Sequence, residues 1–337
     1  MMPETEVVTA ARGGDRAAFE RLVEPYRREL KAHCYRMSGS IHDAEDLLQE
    51  SLLKAWRAIS GFEGRASVRT WLYKVTTSAC LDAVDARKTR ALPVGFGPPT
   101  EPGTQLTPRA EALWIEPGPD ELIVDSARSP EARYSARESV ALAFLAALQL
   151  LPAKQRAVLV LRDVLGWQAA ECAELLQITV AAVNSALQRA RETLARGDRS
   201  RKERAAAVED ESTRSLLGKY LRAWEDADVS GLVALLHDDA VLSMPPFEAW
   251  FKGASAIGAA IGGMVLPAGT RGLYKMVPTR ANGHPAFAMY KKDESGGTFR
   301  PNALHVVEVA GGKVVEITAF LEPKLFANFG LVPVLHG

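Results

Sequence analysis

The 337-residue chain has only three cysteines, Cys34, Cys80 and Cys172, and no net charge, with 41 basic against 41 acidic side chains. Three widely spaced cysteines without a Cys-x-x-Cys or His-Cys cluster exclude a disulfide framework and a zinc finger. Each falls on or near an apolar helical stripe, as small core residues of a reducing compartment do. Long apolar runs are also missing. Val140–Leu151 already contains Gln149, and nothing reaches the ~20 residues that a membrane helix needs. The start, Met1-Met2-Pro3-Glu4, has neither the basic nor the apolar region of a signal peptide. The expectation is a soluble, cytoplasmic protein without a cofactor. Hydrophobic content of 47% and charged content of 24% fit a globular chain of two or three domains.

The zero charge hides a pattern. Net charge is +2 over residues 1–90, −4 over 91–136, +4 over 137–205 and −2 over 206–337. Two mildly basic segments thus flank an acidic one. Residues 92–130 hold eight prolines, Pro93, Pro98, Pro99, Pro102, Pro108, Pro117, Pro119 and Pro130, so 91–136 reads as an extended linker, partly ordered by docking. A charged stretch at 198–212 reads as a second connector.

Residues 12–90 read as a helical domain. Phe19, Leu22, Val23, Tyr26, Leu30, Cys34 and Met37 recur at helical spacing and mark one face, ended by Ser38-Gly39-Ser40. Ala44, Leu47, Leu48, Leu52, Ala55 and Ile59 form a second stripe. Asp43, Asp46, Gln49 and Glu50 lie on its outer side. Acidic groups here, Glu45 included, suit a helix N-terminus through the macrodipole, or else a docking face for a basic helix. A loop, Gly61–Ala66, offers Phe62 as an exposed aromatic. A third helix runs from about Ser67 to Arg87.

Residues 137–197 read as helices ending in a helix-turn-helix. Val140, Phe144, Leu145, Leu148 and Leu151 form a stripe, and Pro152 opens the next helix. Gly166 breaks it. Gln168–Leu176, a turn at Gln177-Ile178-Thr179 and a last helix from Val180 to about Arg196 follow, with Thr179 as N-cap. Val183, Leu187, Ala190 and Leu194 face inward. Asn184, Ser185, Gln188, Arg189 and Arg191 face wholly or partly outward. Such side chains read base edges in a major groove, though a helical hairpin with a solvated face shows the same periodicity.

Two motifs make this specific. His42-Asp43-Ala44-Glu45-Asp46-Leu47-Leu48-Gln49-Glu50 with Phe62-Glu63-Gly64-Arg65-Ala66-Ser67-Val68-Arg69-Thr70-Trp71-Leu72-Tyr73-Lys74-Val75 resembles region 2 of extracytoplasmic-function (ECF) sigma factors. Leu151–Arg156 and Gly166–Arg191 resemble their region 4. The resemblance implies a promoter-specificity subunit of bacterial RNA polymerase, not an enzyme. Asp43, Glu45, Asp46, Gln49 and Glu50 would dock on the β′ clamp helices. Phe62, Arg65, Arg69, Lys74, Ser78, Arg87 and Lys88 would hold the melted −10 strand. Thr179, Asn184, Ser185, Gln188 and Arg189 would read −35 DNA, and their domain would contact the β flap. The linker would thread along polymerase, its acidity mimicking nucleic acid near the RNA path. The chain departs from the pattern at three places. Ser78 stands where many members have Asn, Asp85-Ala86 interrupts a basic run, and Gln177 replaces a turn glycine.

Residues 213–322 read as an α+β domain. Leu216, Leu217, Tyr220, Leu221 and Trp224 mark one helix, and Leu232–Leu236 a second. A strand at Ala240–Met244 and a helix at Ala254–Met264 follow. Four further strand-like runs cover 273–320, with Asn282-Gly283 and Gly311-Gly312 as hairpin turns. The order, with Ala223-Trp224-Glu225-Asp226-Ala227-Asp228 and Asp238-Asp239-Ala240-Val241-Leu242, resembles SnoaL-like polyketide cyclase domains. That implies a cone-shaped sheet around a pocket, here lined by Tyr220, Trp224, Met244, Trp250, Phe251, His305 and Glu316. Residues of these types at such spacing are also ordinary core. His305 could act as a general base if Asp238 or Glu316 oriented it. The tail, 323–337, would pack on the sigma domains or close its own domain.

The fold expected is therefore multidomain: two all-α sigma domains, the region 2 helical bundle and the region 4 helix-turn-helix, then an α+β SnoaL-like cone. The partners expected are RNA polymerase core, promoter DNA and, on one reading of the C-terminal domain, a small molecule. A ligand-responsive DNA-binding regulator that never joins polymerase, or a cyclase-type enzyme with a DNA-binding appendage, are the competing readings.

Overall fold

The structure, a computed structural model, describes residues 4–85, 89–109, 114–123, 139–197, 211–294 and 296–337. The chain forms two compact units. One, helical, comprises Met1–Arg90 and Glu121–Arg199. The other comprises Ala91–Asp120 and Ser200–Gly337.

The helical unit begins with α1 (Glu4–Arg12), α2 (Arg16–Val23), α3 (Arg27–Ser38), α4 (Ile41–Ala58) and α5 (Val68–Asp85). The face read as continuous from Phe19 to Met37 is broken: Pro25 lies in a 3₁₀ turn, Glu24–Tyr26, between α2 and α3. Proline cannot donate the backbone bond a continuous helix requires there. Asp15 caps α2 by accepting from the Ala18 amide at 3.0 Å, and Ser40 caps α4 by accepting from the Asp43 amide at 3.0 Å. Gly39 ends α3 in the left-handed conformation, φ 72°. A side chain there would also press on Gln149, whose atoms lie 3.1 Å from the position of a Cβ. Leu30, Cys34, Met37, Leu47, Leu72 and Tyr73 are buried. The Cys34 and Cys80 sulfurs lie 3.7 Å apart as free thiols, and Cys172 is free and buried too.

After α6 (Asp120–Ile123), the same unit continues with α7 (Leu142–Gln149), α8 (Ala153–Leu159), α9 (Ala169–Leu176) and α10 (Val180–Gly197). The helix that Pro152 opens loosens into a π turn, Val160–Val164, before Gly166. Gln177 ends α9 at φ 54°, ψ 44°, so the turn glycine's conformation is kept without glycine. Thr179 caps α10 by accepting from the Ala182 amide at 3.1 Å.

The two halves of this unit are joined by buried cations that meet backbone and amide oxygens. Arg156, 3% exposed, donates to the Met37 carbonyl at the end of α3, to the Gln149 side chain at 2.6 Å, and to the Gln149 and Leu151 carbonyls. Arg36 donates to the Ser139 carbonyl and hydroxyl at 3.2 and 3.0 Å. The Tyr73 and Trp167 rings meet edge to face at 5.2 Å. Cations suit helix C-termini, where carbonyls lack partners.

The second unit is built on α11 (Glu211–Glu225), α12 (Val229–Leu235), β1 (Leu236–Ser243), β2 (Trp250–Lys252), α13 (Ala254–Met264), β3 (Tyr274–Ala281), β4 (His284–Lys292), β5 (Thr298–Ala310) and β6 (Lys313–Phe320), closed by α14 (Leu325–Asn328) and β7 (Leu335–His336). The sheet order is β2-β1-β6-β5-β4-β3, with β7 on β5. β3 to β6 form the expected meander, whereas β1 joins β6 in parallel. Asn282 and Gly283, at φ 56° and 80°, make the β3–β4 turn; Gly311 and Gly312, at 57° and 72°, make the β5–β6 turn. The tail is a domain-closing segment: Leu325 and Phe326 are buried, and the Tyr290 hydroxyl donates to the Val332 carbonyl at 2.9 Å.

The proline-rich linker is held by this second unit. Thr100 donates its amide to the Trp250 carbonyl at 2.7 Å, and the Trp250 indole donates to the Gly97 carbonyl at 3.0 Å. The Arg109 amide donates to the Pro246 carbonyl at 3.2 Å. Gly118 and Asn282 exchange two hydrogen bonds, at 2.9 and 3.0 Å. Asp120 pairs with Arg280 at 3.0 Å and accepts from the Gly283 amide at 2.7 Å. Ile115 is fully buried, and Leu106 packs on the domain core. Residues 110–113 and 124–136 of the linker, and most of the 198–212 connector, lie outside the described residues. No described helix is long and apolar enough to cross a membrane.

Replacing Arg156 with Met keeps the volume but leaves the Met37 carbonyl and the Gln149 side chain without their donor. The expected cost is about 2–4 kcal/mol of the helical unit's stability in urea unfolding. A loss below about 0.5 kcal/mol would show that this cation does not hold the unit together.

Candidate polymerase and nucleic-acid interfaces

The acidic helix α4 divides its carboxylates. Asp43, 8% exposed, receives the Arg90 guanidinium at 2.7 Å and is a structural partner inside the unit. Glu45 is tied to Lys31, whose hydrogen bond lowers its pKa. Asp46, Gln49 and Glu50 are exposed; Glu50 pairs with Lys54 at 2.8 Å, and Gln49 hydrogen-bonds Glu45. One turn beyond them stands Leu53, 56% exposed. Positions 46, 49, 50 and 53 share one helix face, so the acidic stripe carries a bare leucine. Sequence reading missed Leu53, which breaks the inner stripe's spacing and for that reason points outward.

The strand-holding set expected around α5 is only partly gathered. Phe62 is not an exposed aromatic: it is buried, with its ring 5.1 Å from that of Trp71. Loop position suggested exposure, but a large apolar ring gains more by packing than by facing water. Arg65 is exposed and paired with Glu63. The Arg69 guanidinium grips Glu29 with both forks, at 2.9 and 2.8 Å, and lies 5.0 Å from the centre of the Tyr73 ring. The Glu29 hydrogen bond raises its pKa. Lys74 and Ser78 remain open, four residues apart on one face. Arg87 and Lys88 lie outside the described residues.

On α10, Val183, Ala186, Leu187 and Ala190 are buried. Asn184, Ser185, Gln188 and Arg189 are exposed. Arg191 is bound to Asp163 by bonds of 2.9 and 2.7 Å, and Gln188 donates to Glu192 at 3.0 Å. The Thr179 hydroxyl serves the cap.

The residues expected to line one pocket separate into three places. Tyr220, Trp224, Met244 and Phe251 belong to the hydrophobic core of the second unit. Trp250 lies at its rim and holds the linker. His305 stands in the register row with Phe287 and Ala319, both core residues. Its Nδ1 lies 3.0 Å from the Tyr220 hydroxyl, and its ring is 4.8 Å from that of Trp224. Glu316 lies on the other face of the sheet, because its neighbour Ile317 points into the core and strand side chains alternate. Asp238 is exposed on β1. Neither carboxylate orients His305, so the general-base arrangement is not assembled. Burial instead pushes His305 down to about 3 and raises the Tyr220 hydroxyl.

Three family models match this chain: Sigma-70 region 2 over residues 22–90, Sigma-70 region 4 over 141–194, and a SnoaL-like domain over 217–317. The ECF RNA polymerase sigma factor SigG of Mycobacterium tuberculosis is 45% identical over 317 residues, covering 94% of this chain and 84% of that protein. The chain belongs to the ECF RNA polymerase sigma factors. SigM of the same organism is 30% identical over 193 residues, 57% of this chain and 83% of its own length. The crystal structure of M. tuberculosis SigJ shares the fold, with a TM-score of 0.58, 24% identity, and coverage of 91% of this chain and 97% of that one. This sigma factor therefore directs RNA polymerase core to promoters, with helical sigma regions followed by a SnoaL-like α+β domain.

Its two buried imidazoles make acid a destabiliser. His33, 3.0 Å from the Thr77 hydroxyl, is pushed to about 3 by burial and by Arg36; His305 matches it. Between about 3 and the ordinary 6.5, the unfolded chain binds protons that the folded chain refuses. Stability is therefore unaffected by these groups above 6.5 and falls as pH drops below it, by up to about 1.4 kcal/mol per pH unit for each histidine. Urea unfolding at pH 7.5 and pH 5 should show this, and His305→Gln should flatten the dependence. A pH dependence unchanged by His305→Gln and by His33→Gln would contradict the assignment.

Proposed function

We propose that the sigma factor grips polymerase with the α4 stripe of Asp46, Gln49, Glu50 and Leu53, and that its SnoaL-like domain restrains it by holding the linker. The stripe offers two carboxylates and an amide beside an exposed apolar side chain. That pairing suits a basic, amphipathic partner helix, as the β′ clamp helices would supply, with charge steering the encounter and Leu53 gaining from burial. Asp43 supports the stripe from below through Arg90. Lys74 and Ser78 form the open part of the −10 surface, and Arg65 is exposed on the loop before α5. Arg69 reaches DNA only by leaving Glu29. The region 4 half presents α10 to −35 DNA and contacts the β flap.

The observation that carries the regulatory part is the linker's attachment. Polar groups from Gly97 to Asp120 are paired with β2, with the β3–β4 turn and with Arg280. A linker so paired cannot also run along polymerase. Release would return those groups to water, at a net cost of about 1 kcal/mol for each neutral bond. The domain works in this reading without a ligand, because Tyr220, Trp224, Met244 and Phe251 already fill its core.

Two experiments separate the parts. Asp46→Arg with Glu50→Arg should abolish co-migration with core polymerase, whereas Asp43→Asn should cost about 1–2 kcal/mol of stability and leave binding within a few-fold. Normal assembly of the charge-reversed chain would remove the docking assignment. Trp250→Leu with Arg280→Ala should raise promoter-specific transcription several-fold and expose the linker to protease. Unchanged transcription with an exposed linker would remove the regulatory role.

A further inference from the structure

Arg191 points outward on α10 but belongs to neither of the surfaces proposed above. It sits on one flank of the helix. At 100° per residue it stands about 90° from the direction of the buried Val183, Ala186, Leu187 and Ala190, and Arg189 stands about 110° from it on the other flank. A helix about 10–12 Å across, lying in a major groove about 12 Å wide, turns one side to the base edges and its flanks to the phosphate walls. Each flank of α10 therefore carries an arginine.

The two arginines differ in how they are held. Arg189 is exposed. Arg191, with its side chain 60% exposed, is gripped by Asp163. Its Nε donates to Oδ2 at 2.9 Å and its Nη2 to Oδ1 at 2.7 Å, so the carboxylate occupies one edge of the planar guanidinium. The other N–H groups have no partner among the described residues. They include the outer edge formed by the two terminal nitrogens, which matches two oxygens of a phosphate. Asp163 comes from the π turn, which the Leu165 amide closes on the Val160 carbonyl at 3.0 Å. The turn is anchored from within: Val160 and Leu161 are buried, and Arg162 donates to the Trp167 carbonyl. Turns of this kind concentrate at functional sites. An ion pair this exposed adds little stability; what it does is hold a long side chain still.

The geometry points to Asp163 as a positioning residue that presents the outer edge of Arg191 to a phosphate of the DNA bound by α10. The assignment rests on α10 being the DNA-facing helix. An arginine that grips a phosphate gives up rotamer freedom. Asp163 has already taken that freedom, so the contact forms at a lower entropic cost. The repulsion between carboxylate and phosphate acts across the guanidinium, over a Debye length, ~8 Å at physiological salt, and is largely screened. The pair is thus scaffold on one edge and DNA contact on the other.

The test uses the full chain bound to core polymerase and a promoter duplex, with affinity measured over a series of salt concentrations. Arg191→Ala should weaken binding several-fold and lower the slope of log affinity against log salt by about one. Arg191→Lys should keep the slope but lose affinity, because an ammonium cannot be gripped along one edge while bonding along another. Asp163→Asn should weaken binding about two- to threefold with the slope kept, and should have no effect in the Arg191→Ala background. Tighter binding by Asp163→Asn would overturn the inference, since the carboxylate would then oppose the DNA. An equal loss from Asp163→Asn in both backgrounds would also overturn it, by showing that the residue acts through the fold. An unchanged slope in Arg191→Ala, with Arg189→Ala still lowering it, would take Arg191 off the DNA and leave α10 as the DNA-facing helix. An unchanged slope in both variants would overturn the assignment of α10 itself.

Discussion

Between Gly97 and Asp120 the chain gives its polar groups to the rim of a folded sheet. A proline-rich segment has few amides and few apolar side chains, so in isolation it gains nothing by ordering. Here it gains hydrogen bonds from Trp250, Pro246, Asn282 and Arg280, all of which belong to the SnoaL-like domain. The connector between the two sigma regions therefore folds with the C-terminal domain. In the proposed reading, this attachment gives the sheet a task that needs neither a pocket nor a reaction.

The helical unit has a complementary logic. Its two halves meet through Arg156 and Arg36, which are buried yet face carbonyls, an amide and a hydroxyl. Such contacts are specific and costly to leave half made. On the proposed reading, the surfaces that serve polymerase and DNA are those left exposed: Asp46, Gln49 and Leu53 on α4, Lys74 and Ser78 on α5, and Asn184 and Ser185 on α10. Where a side chain already has a good partner, as with Asp43, Arg69 and Arg191, the structure has used it to build the scaffold.

Much of this fold was legible in the sequence because its signals are local. Helical spacing located α4, α5, α9 and α10, Ser40 and Thr179 marked caps, and Asn282-Gly283 and Gly311-Gly312 marked hairpins. What failed depended on distant partners. Pro25 split a helix whose apolar face continued on either side of it. Phe62 found Trp71, which loop position alone did not reveal. Glu316 seemed to share a pocket with His305, but His305 pairs with Ala319, three residues further along β6, so strand alternation puts the two on opposite faces. The linker's docking was invisible because it runs largely through backbone groups, which every residue carries. The acidic helix was half legible: Asp46, Gln49 and Glu50 are exposed as expected, but Asp43 is buried against Arg90 and Glu45 is tied to Lys31, partners that the spacing did not reveal.

Amide hydrogen exchange on the free full-length chain, resolved for residues 97–120, tests the central claim directly. The account predicts slow exchange at Thr100, Arg109 and Gly118, and faster exchange at all three once core polymerase is bound. Rapid exchange of these amides in the free chain, matching an unfolded peptide, would show that the SnoaL-like domain does not hold the linker and would contradict the account.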